Sequence, residues 1–484
     1  MNRFLFNLIS SGALLLAGCS ETDHSSADGV DYRTEIQPVF NRSCALSGCH
    51  ADDATSLGKV FHGDSTLRLT SWEEVGHGTG SRGSVVVPFQ PVFSSLFQHI
   101  NGSVSAGPVA TPRMPLNMAP LPDREIALIS QWILEGAREK PDAQPMYSAS
   151  GSGFFLITNQ GEDLLTRLTG NSAYLSRIIP LYSPVWPVPA GAPQAPHYLA
   201  LDQERQLAYL SLYSAGKVIR VDLASRQITG SIHVGGNPAH VELLSGGNEL
   251  LVTNFSSQNR IHRIDTRTMT LIRDYTGLAS NPHALVVLPG DSVVFTGGQT
   301  TDLLYRISLR TGNITSFPVS RNVPPTGSVS QQYGIYQIRF QKSDGRLYIT
   351  CKTSGEVRVA DPTTGDITDS VQVGKNPLLA EFRPGTNELW VANQGNRSVS
   401  IINTVTRQVT TLGDLPAQPH GIAFSSDGRR AGLTCENQTG DLSEHHPTTR
   451  GGPPGYFVLF DAATRTQLAS RPVGSFAAGI AWMP

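Results

Sequence analysis

The residues of this chain with the clearest chemical capacity are two cysteines and a histidine in the segment Cys44-Ala-Leu-Ser-Gly-Cys49-His50. Paired thiols of this kind form thioethers with the vinyl groups of haem, and the histidine that follows them can coordinate the iron. The usual motif is Cys-x-x-Cys-His, whereas four residues separate Cys44 from Cys49. An ordinary disulfide loop of an exported protein is therefore the alternative interpretation.

A second iron ligand is offered by Met114, in the run Arg113-Met114-Pro115. A thioether sulfur is a soft ligand that suits haem iron, and its pairing with histidine raises the reduction potential. Met118 is the competing methionine. Three nearby histidines are interpreted as loop or surface residues, although any of them could replace methionine in a bis-histidine haem: His62, His77 and His99.

Two amphipathic stretches must position these residues. Residues 31–43 carry apolar side chains at helical spacing and predict a helix that leads into Cys44. A second helix is predicted to begin at Leu121-Pro-Asp123 and to end near Gly136. The predicted buried face of this second helix consists of Ile126, Ile129, Trp132 and Ile133.

The order of these features resembles the small c-type cytochrome domains of exported bacterial proteins. The matching runs are IQPVFN at 36–41, Met-Pro at 114–115 and EIALISQWILEGA at 125–137. The resemblance implies a small all-α cytochrome c domain at 30–140 with one covalent haem c. It assigns Cys44 and Cys49 to the thioethers, His50 to the proximal iron ligand and Met114 to the distal ligand.

The first residues predict export. Arg3 precedes an apolar run at 4–17 that is short for a membrane span. The end of this run, Leu16-Ala-Gly-Cys19, resembles the lipobox of bacterial lipoproteins. The resemblance implies a signal peptide at 1–19, acylation of Cys19, a flexible tether at 20–29 and, because Ser20 follows, an outer-membrane anchor facing the periplasm. A plain signal peptide with an incidental cysteine is the alternative.

Composition excludes one class of partner. The chain of 484 residues has a formal charge of -2, and 16% of its residues are charged. No basic patch stands out in the sequence, which argues against nucleic acid as a partner. A chain of this length exceeds one hydrophobic core, so two or more units are expected.

After a linker at 141–153, similar blocks recur about every 40 residues, which indicates a propeller or a solenoid. One block contains the strands ELLVTN (249–254) and RIHRID (260–265), and a later block contains ELWVAN (388–393). These blocks resemble the YVTN family of β-propellers. Six blocks are complete, and a seventh is split between FFLITN at 154–159 and AGIAW at 478–482. Pairing of 154–180 with 476–484 would close an all-β, seven-bladed ring over 154–484.

Histidines break this repeat. His197, His283 and His420 follow proline at the start of the innermost strand in three blocks, at the mouth of the central channel. An insertion in the sixth block should overhang the same mouth, and it carries Glu444, His445 and His446. We expect these side chains to share one face and to hold a metal, a cofactor or a substrate. Because the three blades are spread around the ring, the ligand is expected to be haem-sized or extended, or a metal held by fewer than three of them. Turn histidines bonded to neighbouring carbonyls are the alternative.

These features predict an exported c-type cytochrome lipoprotein in electron transfer, whose propeller binds a redox partner protein or a small-molecule substrate. One alternative is a periplasmic oxidoreductase with a metal or cofactor site at the propeller mouth. The other is a surface scaffold or binding propeller with an accessory haem. The sequence leaves open whether the chain is an enzyme.

Overall fold

The computed structural model describes residues 29–51, 67–79, 83–148, 153–255, 259–278, 281–320, 332–438 and 446–484. The predicted signal peptide, the predicted lipidation site Cys19 and most of the predicted tether lie outside the described residues, as do His62, Glu444 and His445. None of the helices in the described ranges combines the length and the apolar character that a membrane span requires.

Residues 29–148 form an N-terminal segment with short helices. Its described part contains α1 (Gln37–Ser43), α2 (Trp72–His77), α3 (Ser95–Ile100) and α4 (Asp123–Leu134). A π-helical turn at Tyr32–Ile36 leads into α1, and a 3₁₀ turn at Pro91–Phe93 precedes α3. Both helices that the sequence predicts are therefore present. Helices α2 and α3 were not predicted, because six residues each are too few to show a helical period.

The first turn and the last helix of this segment pack on each other. Asp31 caps the first turn by accepting a hydrogen bond from the Thr34 backbone N–H at 3.0 Å. Tyr32 and Trp132 are fully buried, and their ring centroids lie 5.3 Å apart. The indole Nε1–H of Trp132 donates to the Arg138 carbonyl oxygen at 2.8 Å. The segment thus has a hydrophobic cluster of its own, built from both ends of its chain.

Residues 153–484 form seven four-stranded antiparallel sheets. Blade 1 contains β4 (Pro196–Asp202), β5 (Leu207–Leu212), β6 (Lys217–Asp222) and β7 (Gln227–His233). Blade 2 contains β8 (Pro238–Leu243), β9 (Glu249–Asn254), β10 (Arg260–Asp265) and β11 (Thr270–Tyr275). Blade 3 contains β12 (Pro282–Val287), β13 (Val293–Gly298), β14 (Leu303–Ser308) and β15 (Ile314–Pro318). Blade 4 contains β16 (Ile335–Gln341), β17 (Arg346–Cys351), β18 (Glu356–Ala360) and β19 (Ile367–Gln372).

Blade 5 contains β20 (Pro377–Phe382), β21 (Glu388–Asn393), β22 (Ser398–Asn403) and β23 (Val409–Leu412). Blade 6 contains β24 (Pro419–Phe424), β25 (Arg430–Cys435), β26 (Pro454–Asp461) and β27 (Thr466–Ser475). Blade 7 combines the last strand, β28 (Ala477–Met483), with β1 (Phe154–Asn159), β2 (Leu164–Thr169) and β3 (Leu175–Pro180). In each blade the strand named first is the inner one, and neighbouring inner strands contact each other.

The seven-bladed propeller that the repeats predict is confirmed, and the two ends of the repeat region close it. β28 pairs antiparallel with β1, with Phe154 opposite Met483 and Ile157 opposite Ile480. The two incomplete fragments of the sequence are therefore the two parts of one blade. Closure satisfies the strand edges that an open array of blades would leave unpaired.

The N-terminal segment docks against β3, the outer strand of blade 7. The side-chain amide of Gln90 donates to the Ile178 carbonyl oxygen at 2.6 Å and accepts from the Ile178 N–H at 2.8 Å. The Ser84 hydroxyl accepts from the Leu175 N–H at 2.9 Å. Ring contacts add to this surface, with Arg177 over Phe89 and Tyr147 stacked on Tyr174. The edge of blade 7 is thus covered by side chains that replace a neighbouring strand.

Candidate functional site

A pocket in the N-terminal segment brings the cysteine–histidine motif and both methionines together. It is open to solvent and encloses about 1200 Å³ of empty space, its mouth included. Its wall contains Cys44, Cys49, His50, Met114 and Met118. Much of the remaining wall is apolar and consists of Phe40, Leu67, Leu69, Val85, Leu96, Ile100, Pro115 and Leu116. The cysteine–histidine motif and both methionines therefore line one pocket with a largely apolar wall.

The two thiols of this pocket are not joined. Cys44 is buried, Cys49 is partly exposed, and no disulfide connects them. Burial, followed by the proximity of Cys49, raises the pKa of the Cys44 thiol to about 12. Both sulfurs thus lie at one pocket.

His50 has the hydrogen bond that an iron-ligating histidine needs. Its Nδ1 lies 3.1 Å from the Leu67 carbonyl oxygen, and we assign Nδ1–H as the donor. Burial lowers the pKa of the imidazole, which favours the neutral form. In that tautomer Nε2 carries the lone pair, and a bond from the other ring nitrogen to a carbonyl is the usual way to orient a metal-binding histidine.

Three side chains of the pocket could provide the second axial ligand. Met114 is partly buried and packs against the hydrophobic cluster, whereas Met118 is 48% exposed. His99 is on α3 and lines the pocket as well, with Nδ1 at 2.8 Å from the Pro112 carbonyl oxygen. The interpretation of His99 as a loop or surface residue is therefore wrong, because the unpredicted helix α3 turns it into the pocket. His77, by contrast, lies at the exposed end of α2.

A second candidate site lies where the inner strands of the propeller begin. Each strand that starts with proline has a register irregularity directly after it, as between Pro196 and Leu199 in β4 and between Pro238 and Val241 in β8. Proline has no N–H for the ladder, and a bulge turns the side chains of the unpaired residues. His197, His240, His283 and His420 all fall within such irregularities.

The histidines meet at the channel axis. The ring centroid of His197 lies 6.1 Å from that of His240, 5.8 Å from that of His283 and 5.6 Å from that of His420. All four side chains are buried, with at most 2% of their surface exposed. The prediction of a metal held by fewer than three of His197, His283 and His420 stays open, because His240 joins His197 and His283 in one cluster of ring nitrogens. Although the blades are spread around the ring, their inner strands converge, and one imidazole reaches the next across the narrow channel.

The insertion of blade 6 reaches the same mouth. The His446 ring lies 4.7 Å from the His197 ring and stacks on Tyr213 at 3.5 Å, and its Nδ1 is 2.9 Å from Gln160 Oε1. His446 thus shares one face with the three proline-linked histidines, as the repeat scheme predicts. His445 and Glu444 lie outside the described residues.

Hydroxyl groups on the second strands hold the inner strands in place. Thr253 on β9 accepts from the His240 backbone N–H at 3.0 Å and donates to the His283 carbonyl oxygen at 3.2 Å. Thr158 on β1 donates to the His197 carbonyl oxygen at 3.1 Å. Each hydroxyl connects its own blade to the next one, so the backbones that carry the imidazoles are fixed relative to each other.

Burial favours the neutral form of two of these imidazoles, His197 and His240. The pKa values of His197 and His240 are lowered well below that of an ordinary histidine, first by burial and then by the positive charge of neighbouring imidazoles. His283 Nδ1 lies 2.8 Å from the Tyr336 carbonyl oxygen. Neutral imidazole is the form that binds metal ions and accepts protons.

A polar group not predicted from the sequence borders this cluster. Glu436 is fully buried, its pKa is raised by burial, and it accepts a bond from Gln394 Nε2 at 2.9 Å. Its Oε1 lies 3.7 Å from His420 Nε2, which also lies 3.0 Å from the Tyr336 hydroxyl. The signal for Glu436 was its place directly after a second strand, the position from which Tyr213 and Gln160 also reach the channel mouth.

Sequence comparisons with known proteins find similarity over only a small part of the chain. No family model matches the chain. The uncharacterized protein YncE of Salmonella typhimurium is 32% identical over 84 residues, and that of Salmonella typhi is 31% identical over the same length. These matches cover 17% of this chain and 24% of each relative, so the chain spans about a quarter of the length of the curated relatives it matches.

One solved structure of low sequence identity agrees with the architecture. A functionally unknown protein from Desulfotomaculum acetoxidans has a TM-score of 0.51 at 9% identity, over 69% of this chain and 99% of that one. Dihydro-haem d1 dehydrogenase NirN in complex with DHE has a TM-score of 0.47 at 15% identity, over 76% of this chain and 88% of that one. Similarity at these identities describes the fold and not the activity.

Proposed function

We propose that the chain is an exported c-type cytochrome that carries electrons, with haem c attached to its N-terminal segment. The observation that carries this proposal is the convergence of Cys44, Cys49, His50 and Met114 on one apolar pocket. The cysteines would form the thioethers, His50 would be the proximal ligand and Met114 the distal one. A bound haem c supplies a one-electron redox centre whose potential a histidine–methionine pair raises.

The residues around the pocket have defined roles in this proposal. The Leu67 carbonyl orients His50 through Nδ1. Around a bound haem the apolar wall would limit the access of water, which favours a ligand set of thioether sulfur and neutral imidazole. Met114 is held in place through its backbone, because its N–H donates to the His99 carbonyl oxygen at 2.8 Å. Arg42, just before the first cysteine, is paired with Glu125 of α4 at 2.6 Å.

We further propose a periplasmic location, with a lipid anchor at Cys19 in the outer membrane and a redox protein as partner. The sequence pattern of the first residues supports this location. The docked arrangement of the N-terminal segment on β3 supports a fixed distance between the pocket and the propeller. Metabolic labelling with a radioactive fatty acid tests the anchor, and a Cys19→Ala variant that still incorporates label would contradict it.

Haem attachment is tested on protein expressed with the c-type maturation system. We expect the haem to stay with the polypeptide in acidified organic solvent and to be lost to the solvent in the Cys44→Ser/Cys49→Ser variant. Met114→Ala should keep the haem and lose the weak sulfur-to-iron absorption band, whereas Met118→Ala should retain it. Loss of the band in Met118→Ala would refute the distal assignment. A bis-histidine spectrum that is unchanged in Met114→Ala but altered in His99→Ala would refute it as well.

A second candidate function is a periplasmic oxidoreductase that acts at the propeller mouth. The buried cluster of His197, His240 and His283 favours it, because three imidazoles whose ring nitrogens lie within 4.8 Å of one another could hold a metal ion. This function predicts a metal or chromophore in addition to haem c in protein isolated from the periplasm. A spectrum and a metal analysis that show haem c alone would exclude it.

A further inference from the structure

Three imidazoles at the centre of the propeller have the geometry of a metal site. One ring nitrogen from each of His197, His240 and His283 lies within 4.8 Å of the other two. The residues come from β4, β8 and β12, the inner strands of three consecutive blades. A metal at about 2.0–2.1 Å from each nitrogen places the nitrogens roughly 3.3–3.6 Å apart, so the rings would close by at most about 1.5 Å on binding.

The environment of these rings favours a ligand. His240 is 2% exposed, and its Nε2 is buried without a hydrogen-bond partner among the residues that the structure describes. A buried polar nitrogen of this kind is destabilising unless something binds it.

Hydrogen bonds to neighbouring groups hold these histidines in place. The Tyr336 carbonyl, 2.8 Å from His283 Nδ1, selects the tautomer in which Nε2 is the ligand atom. The Thr253 hydroxyl joins the backbones of His240 and His283. Positions fixed in this way lower the conformational cost of assembling three ligands from separate blades.

We propose that His197, His240 and His283 bind one late first-row transition-metal ion, with copper preferred. The ligand set contains imidazole nitrogen and neither thiolate nor carboxylate, and copper has the highest affinity in the divalent series for such ligands. The His446 ring, 4.7 Å from that of His197, lies beside the site on the side of the insertion. The site is formed by the propeller alone, so it does not depend on haem in the N-terminal segment.

The test uses the full chain in the haem-free Cys44→Ser/Cys49→Ser background, so that failure of haem attachment cannot affect the result. Copper alone and zinc alone are titrated into chelator-treated protein, with affinity measured by competition. We expect one copper per chain, bound more tightly than zinc. His240→Gln should weaken copper binding at least about 100-fold. The matched control is His233→Gln, at an exposed position of β7, which should leave the affinity unchanged.

Electron paramagnetic resonance of the copper-loaded unsubstituted chain provides a second readout that needs no substitution in the cluster. Hyperfine structure from three equivalent nitrogens supports the site, and fewer than three overturns it. No copper in the unsubstituted chain, equal affinity in His240→Gln, or tighter binding of zinc than of copper would each overturn the proposal. Thermal unfolding of His240→Gln without metal shows whether a loss of affinity comes from misfolding.

Discussion

Replacing Gln90 with alanine removes the side chain that fastens the N-terminal segment to blade 7. The Gln90 amide makes two hydrogen bonds with the Ile178 backbone, at 2.6 and 2.8 Å. Each such bond contributes about 1 kcal/mol net, so the variant should lose roughly 2 kcal/mol of docking free energy. At about 1.4 kcal/mol per factor of ten, this corresponds to a roughly 30-fold higher population of the undocked state.

Hydrogen exchange measured by mass spectrometry detects this state at the peptide that contains Ile178. The Ile178 N–H points away from β2 and towards Gln90, so its protection reports docking directly. We expect exchange there to rise about 30-fold in Gln90→Ala, and less in Gln90→Glu, which keeps an acceptor and loses the donor. Gln98→Ala is the matched control, because Gln98 donates to Val92 within the segment. Unchanged exchange at Ile178 in Gln90→Ala, or an equal increase in Gln98→Ala, would refute the reasoning.

Two further predictions concern stability of the propeller. A Cβ added to Gly432 would lie 2.7 Å from Phe457 and 2.8 Å from Phe155 of the closing blade. Gly432→Ala should therefore lower the free energy of unfolding by about 1–3 kcal/mol, seen as a lower melting temperature. Gly413→Ala is the control and should melt as the unsubstituted chain does, because the space around Gly413 is open. Hydrogen bonds from the Ser225 backbone and hydroxyl lower the pKa of Asp222, the last residue of β6. Because the folded pKa is below the unfolded value of about 3.9, this stabilisation is present above that pH and is lost as the pH falls through the folded pKa. The melting temperature should therefore fall on acidification, and Asp222→Asn should reduce that dependence; an equal acid sensitivity in the variant would contradict this assignment.

Local sequence patterns were sufficient to predict the propeller and the longest helix of the described chain. The repeat of about 40 residues predicted seven blades because each blade is a local unit whose strands and turns lie close together in the chain. The two incomplete fragments predicted closure, since each lacked the strand that the other supplied. Helix α4 was predictable from its apolar period, because twelve residues are long enough to display one.

Tertiary structure alone decided how those units bring side chains together. His197, His240 and His283 lie in different blades, and only the convergence of the inner strands places their nitrogens within 4.8 Å. The bulges after the prolines turn the rings towards the axis, and such bulges depend on strand pairing, which the local sequence pattern does not predict. The docking of Gln90 on Ile178 joins positions that are remote in the chain, one in the N-terminal segment and one in blade 7. Residue type and spacing thus determined which groups could do chemistry, while contacts between distant strands determined which of them meet.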